Sequence, residues 1–254
     1  MGLSHVIVVS GVFIFALIVV SGQANTLIDR LGKQFTAIFL SFFYALYALT
    51  AIAYARVTTT SPGRPTDLQC EGAAAFPYME AGKDAKEKAM RQCNLCKTHK
   101  PERCHHCRDC NACTLKMDHH CPWVNNCVGF RNYKFFFLLL LYGTLTELLC
   151  IALLVLGLTE RGDDSLKAWD YATIACIVIV GLFAIGTVGL ALFHTSLLIV
   201  NQTTIEQLQS LPADSYHVGY VNNIRQALGT SCLLWWLPCV WGVPNDFDGV
   251  NWDR

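Results

Sequence analysis

The residues best suited to chemistry lie in one run, CNLCKTHKPERCHHCRDCNACTLKMDHHCPWVNNC, from Cys93 to Cys127. It holds eight of the chain's thirteen cysteines, with five histidines interleaved. Cysteines paired as Cys-x2-Cys beside histidines have the spacing of zinc ligation, and a disulfide scaffold would not require the histidines. Two tetrahedral sites take eight ligands, so these cysteines and histidines exceed what two zinc ions need. The Cys-x2-Cys pairs read as structural, and the surplus groups are the candidates for function. Asp118-His119-His120-Cys121 concentrates them. A nucleophilic thiol needs a neighbouring base, and the base is best oriented by a carboxylate. All three types occur within four positions, yet sequence neighbours do not by themselves form a triad. The spacing alone is equally compatible with catalysis and with ligation.

The elements that must position this run are apolar. Of 254 residues, 53% are apolar and 15% charged, against about 25% charged in ordinary globular chains, so much of the chain faces a solvent other than water. Four segments reach the roughly 20 residues needed to cross a bilayer: His5 to Gly22, Phe35 to Ala55, Tyr133 to Leu158 and Tyr171 to Val200. The first lacks the basic start of a cleaved signal peptide and reads as a retained helix. Glu147 lies inside the third, where a carboxylate is costly unless paired or near the surface. Gly143 and Thr146, three apart on that helix, read as close packing or as room for a cavity. Net charge is zero, which gives no basic field for nucleic acid.

Charge placement orients the chain. Thirteen Lys and Arg lie between Arg56 and Lys134, whereas Thr159 to Asp170 has four acidic residues against Arg161 and Lys167. The long loop is therefore expected in the cytosol, with both termini there as well. A reducing compartment again favours zinc over disulfides. Thr58 to Gly82, with Ser61-Pro62-Gly63, reads as an irregular juxtamembrane segment. Leu233 to Pro238, with Trp235 and Trp236, is too short to span and reads as interfacial. No internal repeat is read from the chain.

The Cys93–Cys127 run resembles the cysteine-rich domain of the DHHC-type protein S-acyltransferases, or palmitoyltransferases. The resemblance is carried by Lys100-Pro101, Arg103, His106-Cys107, Asp118 to Trp123, Asn126-Cys127-Val128-Gly129, Asn132 and Phe136. Beyond it, Thr203-Thr204-Ile205-Glu206 fits the family's Thr-Thr-x-Glu motif, and Tyr216-x2-Gly219-x3-Asn223 with Gly229 fits its C-terminal motif. One departure is visible: Ser61-Pro62-Gly63 replaces the family's Asp-Pro-Gly, losing a carboxylate.

The resemblance implies an all-α polytopic membrane protein: four transmembrane helices, with a small zinc-stabilised cytosolic cysteine-rich domain between helices 2 and 3. The divisions are 1–57 for helices 1 and 2, 58–90 for the juxtamembrane segment and 91–134 for the zinc domain. Residues 135–200 then hold helices 3 and 4, and 201–254 form a cytosolic tail. It implies two structural zinc ions, one on Cys93, Cys96, His106 and Cys113, the other on Cys107, Cys110, His120 and Cys127. Cys121 is then the acyl carrier, His119 its base and Asp118 the orienter, with Cys104 outside both sets. Three thiolates and a neutral imidazole leave each zinc site formally at minus one, so the metals are scaffold and thiolate stabilisation falls to His119. Long-chain acyl-CoA is the expected donor, with Arg91, Lys100, Arg103 and His105 as phosphate contacts and Trp123 at the acyl entry. Thr203, Thr204, Glu206 and Asn223 are expected to brace the reactive loop. The acceptors would be membrane-associated proteins with cytosolic cysteines, on Golgi, ER or plasma membrane. Two rivals remain on the residues alone. A membrane-anchored RING-like ubiquitin ligase would need Cys121 as a ligand, and a non-catalytic zinc scaffold would form no thioester.

Overall fold

The structure, a computed structural model, describes residues 2–65, 91–97, 99–158, 167–238, 249 and 252. Residues 66–82 of the expected juxtamembrane segment, and 159–166 of the acidic loop, lie outside the described residues. The chain divides into two compact units. One comprises residues 1–55, 122–124 and 137–194; the other comprises 56–121, 125–136 and 195–254.

Four long helices satisfy their own backbone hydrogen bonds, as a chain in hydrocarbon must. They are α1 (Gly2–Gly22), α3 (Lys33–Thr59), α4 (Tyr133–Leu158) and α5 (Ala168–Val200). All four are long and apolar enough to cross a membrane. The expected spans fall inside them. The helices overrun hydropathy at their ends, because helical hydrogen bonding continues after apolar character stops. A short helix, α2 (Ala24–Leu31), joins α1 to α3 and was not foreseen. Within the first unit, Val19, Val20, Leu27, Phe43, Leu153, Leu154 and Val180 form a buried cluster.

Several polar groups in this unit are paired, since lipid offers no substitute for water. Gln23 Nε2 donates to Thr173 Oγ1 at 2.9 Å. The Thr50 and Thr146 hydroxyls lie 3.0 Å apart, and each also lies within hydrogen-bond reach of a carbonyl on its own helix, Leu46 and Tyr142. A Cβ on Gly143 would stand 3.9 Å from the Thr50 methyl, ordinary contact that marks the glycine as a packing residue. Glu147, whose partner the sequence did not reveal, accepts a hydrogen bond from Thr187 Oγ1.

The second unit is built on three two-stranded antiparallel hairpins. They are β1 (Arg91–Gln92) with β2 (His99–Lys100), β3 (His105–Cys107) with β4 (Ala112–Thr114), and β5 (His119–Cys121) with β6 (Asn126–Val128). Their registers step by fourteen residues: Gln92 faces His99, His106 faces Cys113, and His120 faces Cys127. The left-handed turn residues Lys97, Asn111 and Asn125 keep the same step. The chain therefore contains a fourteen-residue repeat. The sequence reading missed it because only the backbone and a few ligands recur, while the other side chains differ.

After α5 come α6 (Thr204–Leu208), α7 (Tyr220–Leu228) and a 3-10 turn at Cys232–Leu234. Leu233 is 83% exposed and Trp236 is exposed beside it. The Ser61-Pro62-Gly63 departure leaves the backbone role of that motif intact. The Pro62 carbonyl accepts from Arg131 N, and the Gly63 carbonyl accepts from Leu115 N. Gly63 has φ +92, a conformation that favours glycine.

Gly129 is the tightest joint of this unit. A Cβ there would stand 2.9 Å from both the Leu115 and Pro62 carbonyl oxygens. Gly129→Ala is expected to destabilise by about 1–3 kcal/mol, read as a lower melting temperature in detergent. Gly186→Ala, which meets nothing within 4 Å, is expected to leave it unchanged.

Candidate active site and metal centres

Strand alternation sorts the reactive segment. Side chains at i and i+2 of a strand share a face, and i+1 points the other way. On β5, His119 and Cys121 therefore share one face while His120 takes the opposite one. His120 lies across the hairpin from Cys127, and these two join Cys107 and Cys110 in one cluster. In the preceding hairpin His106 faces Cys113, and they join Cys93 and Cys96. Adjacent residues His106 and Cys107 serve different clusters for the same reason.

Both clusters fit zinc. Tetrahedral Zn–S and Zn–N bonds of about 2.3 and 2.0 Å place sulfur and nitrogen about 3.5 Å apart. The His106 Nδ1 lies 3.6, 3.3 and 3.9 Å from the sulfurs of Cys93, Cys96 and Cys113. The His120 Nδ1 lies 3.4 and 3.7 Å from Cys110 and Cys127, whose sulfurs are 3.5 Å apart. Each knuckle is tightened by an N–H donated to sulfur, Cys96 to Cys93 and Cys110 to Cys107, both at 3.4 Å.

Cys121 belongs to neither cluster. In the fourteen-residue step it is the counterpart of Cys93 and Cys107, the first cysteine of each knuckle. The third turn carries Val124 where the earlier knuckles carry Cys96 and Cys110. A thiol held in a knuckle position without a second cysteine is left free to react.

Its neighbours are fixed. Asp118 is fully buried and accepts hydrogen bonds from His119 and Thr204. His119 Nδ1 donates to Oδ2 at 2.7 Å, Thr204 Oγ1 to Oδ2 at 2.8 Å, and Thr204 N to Oδ1 at 3.0 Å. With Nδ1 turned to the carboxylate, Nε2 is the nitrogen left for proton exchange. The His119 ring also meets the edge of Phe136, with centroids 5.1 Å apart. Burial opposes charge on His119, but the hydrogen bonds to Asp118 and Cys121 and their negative charge overcome it and raise the imidazole to about 9. An imidazolium at neutral pH favours a thiolate beside it.

Cys104 is chemically quiet by comparison. It is buried, and burial pushes its thiol up to about 12. Such a thiol is a poor candidate for a second acylation site.

Thr203 caps α6: its side chain accepts from Glu206 N, and Glu206 Oε2 accepts from Thr203 N in return. This capping box holds Thr204, the first residue of the helix, toward Asp118. Asn223 braces the chain farther on, donating to the Ile199 carbonyl at 2.6 Å and accepting from Val218 N.

Arg103 corrects the sequence reading. Expected on CoA phosphates, it is buried, and its Nε and Nη2 make a two-pronged pair with Glu206 at 2.7 and 2.9 Å. Nη2 also donates to the Asn201 carbonyl at 2.7 Å. Its planar fork matches a carboxylate, and that carboxylate is internal. Lys100 and His105 lie half-buried on β2 and β3. Arg91 pairs with Lys100 through the backbone of β1, and its side chain lies outside what the structure describes. Sequence reasoning also missed Lys116, Asn201 and Trp252, which gather around Arg103. Lys116 donates to Asn201 Oδ1 at 2.8 Å, and burial drives its ammonium well below the usual lysine range. No spacing rule could have found them, because they come from three separate stretches of chain.

Trp123, two residues after Cys121, is 47% exposed and lies among residues of the first unit. Its ring meets His5 and Phe183 edge-on, with centroids 5.1 and 6.2 Å apart. Phe183 also lines a small apolar cavity together with Val12, Phe13, Ala16, Tyr47, Thr146, Glu147 and Val180.

Comparison with known proteins places these features in one family. Residues 86–211 match the family model described as DHHC palmitoyltransferase. A probable protein S-acyltransferase 13 of Arabidopsis thaliana is 34% identical over 248 residues, covering 92% of this chain and 82% of that protein. A second Arabidopsis relative, probable protein S-acyltransferase 15, is 38% identical over 61% of this chain and 67% of its own length. Human palmitoyltransferase ZDHHC15 is 36% identical over 62% of this chain, and the match spans about half of that longer protein.

The two ligand sets make a direct test possible. Cys113→Ser is expected to lower bound zinc by about one ion per chain, since a structural site needs all four ligands. Cys104→Ser is expected to leave zinc content unchanged. Metal analysis of the purified variants checks both.

Proposed function

The chain belongs to the DHHC palmitoyltransferase family, and from that premise we propose that Cys121 carries a long-chain acyl group, palmitoyl foremost, from acyl-CoA to cysteines of membrane-associated proteins. The observation that carries this reading is a cysteine outside both metal clusters, on the same strand face as a histidine whose other nitrogen is held by a buried carboxylate. Two zinc ions, on Cys93, Cys96, His106 and Cys113 and on Cys107, Cys110, His120 and Cys127, serve as scaffold. They fold a loop too small and polar to hold its own core.

The chemistry is an exchange of thioesters in two steps. The Cys121 thiolate attacks the acyl carbonyl, the carbon–sulfur bond to CoA breaks, and the departing CoA thiolate takes the proton from His119. In the second step His119 takes the proton of an acceptor cysteine. That thiolate then attacks the acyl-enzyme, and Cys121 leaves as a thiolate beside the restored imidazolium. Bond energies nearly balance, so the protein contributes positioning and proton transfer. Asp118 orients the imidazole and offsets its charge.

The acyl tail occupies the apolar cavity of the first unit. Support comes from Trp123, which follows Cys121 by two residues and packs on cavity-lining Phe183. A reactive centre at the cytosolic membrane surface keeps the CoA headgroup in water while its tail stays in an apolar site. Lys100, His105 and Arg91 remain the phosphate contacts, with Arg103 withdrawn from that role. Both termini face the cytosol by the excess of basic residues in the long loop. The home membrane is Golgi, ER or plasma membrane.

Intact-mass measurement after incubation with palmitoyl-CoA tests the central claim. Wild type should gain a hydroxylamine-labile palmitoyl adduct. Cys121→Ser should gain none while keeping its zinc, and loss of zinc in that variant would return Cys121 to the ligands and the reading to a ligase-like scaffold. Asp118→Asn, which removes charge but keeps shape, should slow adduct formation about 10²–10⁴-fold. Ala16→Phe should shift preference toward shorter acyl-CoA, measured by competition between donors, because the added ring fills part of the cavity.

A further inference from the structure

Asp118 can orient His119 only if it is itself held, and its holder is Thr204, eighty-six residues away in sequence. Thr204 in turn depends on the α6 cap, where Glu206 Oε2 accepts from Thr203 N. The same carboxylate takes both prongs of Arg103. Whatever fixes Arg103 therefore fixes Glu206, the cap, Thr204 and Asp118 in series.

Two aromatic rings complete the setting of Arg103. Its guanidinium carbon lies 4.1 Å from the Tyr216 ring centroid and 4.6 Å from that of Trp252. Both distances are within cation–π range, and the Arg103 side chain has no solvent exposure. Trp252 also meets Phe130 edge-on at 6.0 Å and lies 4.9 Å from the Lys116 ammonium. Nearby, Gly249 approaches Phe130 so closely that a Cβ would come within 2.7 Å of its ring. Two residues of the distal chain thus rest on Phe130 of the cysteine-rich region.

We propose that Trp252 is a positioning residue for acyl transfer: it holds Arg103 onto Glu206 and thereby keeps Thr204 on Asp118. The physical basis is dielectric. A buried guanidinium–carboxylate pair is strong while water is excluded and weakens when one side opens. The loosened Glu206 then releases the Thr203 cap, and Thr204 loses its aim. A shift of about 1 Å at a catalytic group can cost about 100-fold in rate without unfolding anything. The inference rests on the reading of Cys121 as the acyl carrier.

The experiment measures the rate of acyl-Cys121 formation in the full-length detergent-solubilised protein at saturating palmitoyl-CoA. Zinc content and melting temperature are followed alongside. Trp252→Leu, which keeps apolar bulk but removes the ring, should slow the reaction about 10-fold. Zinc content and the palmitoyl-CoA concentration at half-maximal rate should stay unchanged. Trp252→Phe, which keeps a ring over the cation, should restore most of the rate. The deciding measurement repeats Trp252→Leu in a Thr204→Val background. If Trp252 acts through Thr204, it should cause no further slowing there, because two changes on one path do not multiply. A full additional 10-fold loss in that background, or slowing that tracks zinc loss, would overturn the proposal. Absence of any adduct on wild type would instead overturn the reading of Cys121.

Discussion

Alternation along three short hairpins is the constraint on which the rest of the second unit depends. A pleated strand sends neighbours to opposite faces, so one tripeptide, His119-His120-Cys121, sends an imidazole and a thiol to one side and a member of the second Cys/His cluster to the other. A one-residue slip of register would exchange those roles. The knuckles that pair His106 with Cys113 and His120 with Cys127 pin the register, because a misplaced strand would lose its zinc. Under the proposed reading, the ligand sets and the reactive face are thereby coupled through backbone geometry, with Cys121 outside both sets.

The fourteen-residue step adds a structural account of why Cys121 is free. Three hairpins recur, and two of them carry a complete Cys-x2-Cys knuckle. The third keeps the first cysteine and the left-handed turn residue Asn125, but has Val124 in place of the second cysteine. Its turn, Pro122-Trp123-Val124, holds an aromatic ring where the others hold a ligand. The third hairpin thus holds an unligated, buried thiol on a fixed frame.

The carboxylates and cations of the second unit are arranged in series. Arg103 pairs with Glu206, Glu206 closes the cap at Thr203, Thr204 reaches Asp118, and Asp118 holds His119. The links at Arg103, Glu206 and Thr203 are buried, so they are electrostatically strong and intolerant of an absent partner. In the first unit the same rule acts in another solvent. Thr50 with Thr146 and Glu147 with Thr187 are polar pairs inside apolar helices, and Gln23 in the turn after the first helix donates to Thr173.

The sequence by itself determined the class of this protein and its membrane helices. Apolar runs of bilayer length declare membrane helices because hydropathy is a local property, and all four spans were found. The cysteines and histidines declare metal sites for the same reason, since ligand type and spacing are written along the chain. Resemblance to a family then assigned each ligand to its set, and the same residues stand together in the fold as two clusters. What only the tertiary structure decided are the pairings between distant residues. Arg103, read as a contact for substrate phosphate, turns inward to a carboxylate 103 positions away. Glu147 finds its partner forty residues on, and Trp252 covers a guanidinium from the far end of the chain. A charged side chain looks the same in sequence whether it faces water or an internal partner. Its role is set by which group folding brings within about 3 Å of it, and no local pattern carries that information.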